Sequence, residues 1–225
     1  MMKYAARLMF VLLASSVGVA NATLTTANAG DDFSIVQGNN GWNYGFASAK
    51  GDTGYQVSDF KLFSYAENIQ GYTGLNGWTT NPMSNAMITP LQGMKFLHIH
   101  PSNTAWSILR YNVTTAGRLS TDFVFGRLNN SEFGNIKARV FLNGQLVAKS
   151  GDIHGGQTFA SALTSNVRVG DKLDFIVDAI GDEGSDGSSL LANVAIAPVP
   201  EPETYALMGV GLLGLLAARR KAKLA

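Results

Sequence analysis

The chain has no cysteine, which excludes disulfide staples, thiolate zinc sites, iron–sulfur clusters and a cysteine nucleophile. Histidine is nearly as scarce, and three residues, His98, His100 and His154, leave little for a histidine-rich metal centre. Charge is thin as well. Charged residues are 15% of the 225, and 17 basic side chains meet 16 acidic ones, so a net charge of +1 lacks the basic footprint that counterion release on nucleic acid requires. No nucleic-acid partner is expected. What is plentiful is glycine, with 25 residues, and aromatics at 10%, a balance that suits turn-rich β structure better than helical bundles. The length allows one domain plus tails.

Those few charges are unevenly placed. Lys3 and Arg7 stand in residues 1–22, and Arg219, Arg220, Lys221 and Lys223 close the chain against Glu201 and Glu203, which leaves a body of 11 basic and 14 acidic residues. Basic clusters beside apolar runs at both ends mark segments handled by membrane machinery. At the N-terminus an apolar stretch from Leu8 to Val19 leads to Ala20-Asn21-Ala22, with small residues at −3 and −1. This predicts a signal peptide over residues 1–22, cleaved after Ala22 and read by Sec-type export machinery; a run of about twelve residues is short for a bilayer that needs roughly 20. A second small-residue site, Ala27-Asn28-Ala29, follows.

At the C-terminus, Pro200-Glu201-Pro202 blocks helix ahead of an apolar run from Tyr205 to Ala218, and a cluster of Arg219, Arg220 and Lys221 follows it. The run predicts a short transmembrane helix with its basic end cytoplasmic, although fourteen residues span only about 21 Å. Gly209-Val210-Gly211-Leu212-Leu213-Gly214 matches G-x-G-x-x-G, but it follows no strand and the chain ends too soon for a dinucleotide fold. The three-part segment over residues 198–225 closely resembles the PEP-CTERM sorting signal. That resemblance implies recognition and cleavage near Pro200-Glu201-Pro202 by an exosortase, a transient tether in the inner membrane, and delivery to the surface or extracellular matrix of a Gram-negative bacterium that makes exopolysaccharide and biofilm.

Between the ends, residues 23–197 read as strands. Leu119, Thr121, Phe123 and Phe125 alternate with polar neighbours, as do Ile136, Ala138, Val140 and Leu142. Asn143-Gly144 joins two such runs and predicts a type I′ hairpin. Val169-Gly170-Asp171 turns into Leu173–Asp178, and Leu191–Ile196 forms a last strand before Pro198. Apparent strands also lie at Phe33–Val36 and Trp42–Phe46. The pattern predicts an all-β, antiparallel β-sandwich. From about Asp32 to Ala197 the body resembles the jelly-roll, carbohydrate-binding-module-like domains of exported bacterial proteins. The features are Gly41-Trp42-Asn43-Tyr44-Gly45, Leu97-His98-Ile99-His100-Pro101 leading to Trp106–Tyr111, the Phe141–Gly144 hairpin and Val169-Gly170-Asp171.

Sugar rings stack their C–H faces on exposed aromatics, so Trp78, Trp42, Tyr44 and Trp106 are the candidates for a glycan site, with Trp78 the exposed one expected and Asn43, Asn76 and Asn81 as hydrogen-bonding partners. His98 and His100 share a strand face; a third metal ligand is not visible, and His154 has no demonstrated proximity. Asp182, Glu183 and Asp186 place three carboxylates in a glycine-rich loop, which makes calcium a possible ligand despite the absent EF-hand order. No carboxylate pair or nucleophile motif stands out, so an enzyme is not expected. The reading is an exported, sorted surface or matrix protein with a non-catalytic body that binds a β-linked or acidic exopolysaccharide. The alternatives are a matrix component without glycan binding and a secreted glycan-active enzyme.

Overall fold

The computed structural model describes residues 23–49, 54–91, 93–128, 134–181, 183–199 and 202–223. The expected signal peptide with Ala20 and Ala22, together with Asp182, Pro200 and Glu201, lies outside them. The first half of the chain forms short strands: β1 (Thr25–Asn28), β2 (Trp42–Ser48), β3 (Lys61–Leu62), β4 (Ser64–Ala66), β5 (Gly77–Thr79), β6 (Met87–Pro90) and β7 (Leu97–His100). The second half forms longer ones: β8 (Ala105–Asn112), β9 (Gly117–Arg127), β10 (Asn135–Leu142), β11 (Gln145–Ile153), β12 (Thr158–Val167), β13 (Lys172–Ile180) and β14 (Ser188–Ala197). A helix, α1 (Pro202–Lys223), follows.

The strands make an antiparallel sandwich of an eight-stranded sheet, in the order β12-β9-β14-β7-β6-β5-β4, and a six-stranded sheet, β11-β10-β13-β8-β2-β3. Strand β14 is long enough to pair twice along one edge, with β7 through Ser188–Leu190 and with β1 through Asn193–Ile196. Period-two alternation explains the layers: Leu119, Phe123 and Phe125 of β9 point inward and meet Leu109, Val140 and Phe175 from the other sheet, while Arg118, Ser120 and Asp122 point out. Each such buried side chain contributes about 1.5–3 kcal/mol relative to exposure. The predicted hairpin forms with Leu142 opposite Gln145, and Asn143 (φ 52°) and Gly144 (φ 80°) both take the positive φ that a type I′ turn demands.

Two expectations change. Phe33–Val36 is an irregular segment, because the Gln37 side chain does the work of a neighbouring strand: its amide accepts the Tyr44 N–H and donates to the Tyr44 carbonyl, both at 2.8 Å. The C-terminal helix is present, but among the described residues no helix is long and apolar enough to cross a membrane. Its apolar part covers about 21 Å of a hydrocarbon core about 30 Å thick, which corrects the transmembrane expectation for the helix taken alone.

Candidate functional site

The four aromatic candidates are all interior. Trp42, Tyr44 and Trp106 are 0% exposed and Trp78 is 5% exposed. Trp78, expected to be exposed beside Gly77 and Thr79, lies on β5, an inner strand of the large sheet paired with β4 and β6. Its ring stacks on Tyr44 at 5.4 Å and its Nε1–H donates to the Ser34 carbonyl at 2.9 Å. Burial also pushes the Tyr44 hydroxyl up to about 12. Trp42 packs edge-on against Tyr111. These rings fill the core, which corrects the expectation of an exposed stacking platform. The three asparagines are engaged locally: Asn43 is buried and reaches the Gly41 carbonyl, Asn76 accepts the Asn68 N–H, and Asn81 accepts the Met83 N–H.

Trp106 lies on the outward side of the small sheet, in a second apolar cluster with Tyr55, Ile108, Phe141 and Ile176. Its cover is a strap, Tyr55–Phe60, held down by charge. The Arg110 guanidinium makes a bidentate pair with Asp174 at 2.6 and 2.9 Å, donates to the Val57 carbonyl at 3.1 Å and stacks over Phe60 at 4.0 Å. The Tyr55 hydroxyl donates to Asp174 at 2.8 Å, and burial beside that carboxylate pushes it far above the usual phenol range. Asp174 is fully buried, so this ionic lock has almost no competition from water.

The histidines and the carboxylate loop, unrelated in sequence, meet at one end of the large sheet. The His98 and His100 rings stand 5.9 Å apart on β7, and a Cβ at Gly187 would lie 3.2 Å from His98 Nε2, so the bare glycine makes room for the imidazole. Burial, with a smaller push from His100, lowers His98 to about 4, and burial also lowers His100. His154 is elsewhere, in the turn between β11 and β12. Glu183 accepts from the Asn85 amide at 2.9 Å and from the Asn103 N–H, so it ties three loops together instead of facing a cation. Asp186 is fully buried. Among the described residues no three metal-ligating side chains converge, and Asp182, the third member of the calcium expectation with Glu183 and Asp186, lies outside them.

An open polar cleft lies on the outer face of the large sheet. It is about 430 Å³ in volume, and Thr26, Asn28, Asp31, Asp32, Ser120, Asp122 and Asn193 supply its polar groups. Strand register builds its floor: Asn28 sits opposite Asn193, and Asn193 opposite Asp122. Asn28 Nδ2 donates to Asn193 Oδ1 at 2.6 Å, and Asn193 Nδ2 donates to Asp122 Oδ2 at 2.7 Å, a ladder of amides ending on a carboxylate. One wall is fixed because Asp32 accepts the Asn28 N–H, the Asn40 amide and the Trp42 indole N–H. Such a row of oriented acceptors and donors suits a polyhydroxyl ligand. Sequence reasoning missed it because its members are 71 and 165 positions apart. The one available signal was a polar residue, Asn193, on the outward phase of a stretch, Leu190–Ala197, that is otherwise apolar.

Residues 198–221 match the PEP-CTERM protein-sorting motif, so the chain is a β-sandwich carrying a C-terminal sorting segment. Among curated proteins none matches it in sequence. Its sandwich is similar to a family 35 carbohydrate-binding module from Clostridium thermocellum, at 18% identity over 49% of this chain and 88% of that one, with a TM-score of 0.32. It is also similar to a family 51 module from Clostridium perfringens, solved with methyl-galactose, at 14% identity over 76% of this chain and 99% of that one, with a TM-score of 0.38. A family 6 module of a Zobellia galactanivorans laminarinase is similar at 11% identity over 49% and 88%, with a TM-score of 0.30.

Proposed function

We propose that the chain is exported by Sec-type machinery, tethered briefly at the inner membrane, processed by an exosortase near Pro200-Glu201-Pro202, and released to the surface or extracellular matrix of a Gram-negative bacterium. There its sandwich binds exopolysaccharide without catalysis, within a biofilm. The sorting motif over residues 198–221 supports the route. The in-register ladder of Asp122, Asn193 and Asn28 in an open cleft is the observation that carries the binding role. With Asp31, Asp32 and Asp122 lining the cleft, and the nearby Lys95 paired to Asp31 at 3.6 Å, the ligand is a neutral or amino-sugar glycan rather than an acidic one. The alternative, a matrix protein that binds no glycan, is separated from it by experiment. In affinity electrophoresis on polysaccharide from the producing strain, the wild-type body is retarded saturably, and Asp122→Ala or Asn193→Ala weakens retention about tenfold, near 1.4 kcal/mol, with the fold intact. No saturable retardation on any polysaccharide gives the role to the matrix reading.

A further inference from the structure

The pole of the sandwich where β14 ends is built from three turns, β8–β9, β10–β11 and β12–β13, together with the start of β1 and the segment after β14. Thr25 Oγ1 donates to Thr115 Oγ1, the Val113 N–H reaches the Asp171 carbonyl, and the Gly170 N–H reaches the Val113 carbonyl. Ala116, Asn143, Arg168 and Asp171 then line one groove with Pro198 and Val199. This pole shows apolar side chains to solvent. Val169, at the tip of the β12–β13 turn, is 67% exposed, Val199 is 60% exposed, and Leu24, next to β1, is 59% exposed. Along residues 114–118, 143–144, 166–172 and 198–199 the charged side chains are Arg118, Arg168 and Lys172 against Asp171, with Asp59 close to Gly144 through its hydrogen bond to Gln56, a basic excess of one although the body between the terminal segments is net acidic.

Chain length adds the second observation. Because Pro198 and Val199 line the groove, three Cα steps separate Val199 from the start of the helix at Pro202, a reach of at most about 11 Å. A headgroup zone takes up about 5–7 Å of that reach on each side of a bilayer. We propose that this pole is a membrane-docking surface: before processing, Val169, Val199 and Leu24 insert into the interface of an anionic bilayer while Arg118, Arg168 and Lys172 meet its headgroups. Docking would hold the Pro-Glu-Pro segment at the membrane surface, where an integral-membrane protease can reach it, and cleavage would release the body. The inference rests on the tethered-precursor reading of α1, and its test keeps the two apart.

The absence of cysteine permits single-site labelling of the full chain with an environment-sensitive fluorophore. Probes are placed through Val169→Cys at the pole, Met83→Cys in an exposed loop at the opposite end, and Leu213→Cys in the helix. With phosphatidylglycerol-containing vesicles, the probes at 169 and 213 shift to the blue and brighten several-fold, and the probe at 83 stays in water. In an Arg118→Glu/Arg168→Glu background, or on neutral phosphatidylcholine vesicles, the shift at 169 falls severalfold while that at 213 persists. A shift at 213 with none at 169 overturns pole docking and leaves the tether standing; silence at both positions overturns both. An equal shift at 169 on neutral and anionic vesicles refutes the basic contribution.

Discussion

At His98 desolvation outweighs everything else acting on the imidazole. Thr89 Oγ1 lies 3.3 Å from its Nδ1, Gly187 closes over Nε2, His100 adds a like charge when protonated, and the Glu183 carboxylate bears on His100. The ring is therefore neutral in the folded state down to about pH 4, whereas the unfolded chain takes up the proton near pH 6.5. A folded pKa below the unfolded one means that stability is intact above about pH 6.5, declines as the pH falls, and levels off below about 4. The full contribution is about 3 kcal/mol. Urea unfolding at pH 7.5 and pH 4 is expected to show wild type losing about that much more than His98→Asn; parallel pH profiles would remove His98 as the source.

At the scale of elements, the hairpin at Asn143-Gly144 and the strap at Tyr55–Phe60 show opposite kinds of legibility. The hairpin is local, since two adjacent residues supply the turn chemistry and the flanking alternation supplies the register. The strap is not, since Arg110, Asp174 and Tyr55 come from three distant segments and meet only because β8 and β13 pair with Arg110 opposite Asp174. Arg110→Met leaves a fully buried carboxylate without its cationic partner and is expected to cost about 3–5 kcal/mol, measurable by thermal unfolding. Arg110→Met combined with Asp174→Leu should recover most of that loss, because neither charge then needs solvation. A single variant within about 0.5 kcal/mol of wild type would mean that apolar packing alone holds the strap.

For the whole molecule, β1 bears on where the mature chain begins. Thr25–Asn28 completes the edge of β14, and Ala27 and Ala29 are buried, so a cut after Ala29 would strip a paired strand from the sandwich. A cut after Ala22 spares it. Mass spectrometry of the extracellular form is expected to show a chain starting at Thr23 and lacking Arg219–Ala225. Retention of that basic tail in a host that contains the exosortase would count against the sorting reading.

Properties that depend on neighbours in the chain were already legible in the sequence: the alternation of β9 and β10, the Asn-Gly turn, the composition that favours strands, and the linear order of proline, apolar run and arginine cluster in the sorting segment. Each rests on a local stereochemical or partitioning preference, so spacing alone reveals it. Side-chain exposure had a different origin. Trp78 has a loop-like sequence context and yet is core, because whether a residue is covered depends on which strands lie on either side of β5 and on what the Phe33–Gln37 segment folds over. The polar ladder likewise exists only through the pairing of β1, β14 and β9, long-range contacts whose partners no local periodicity identifies.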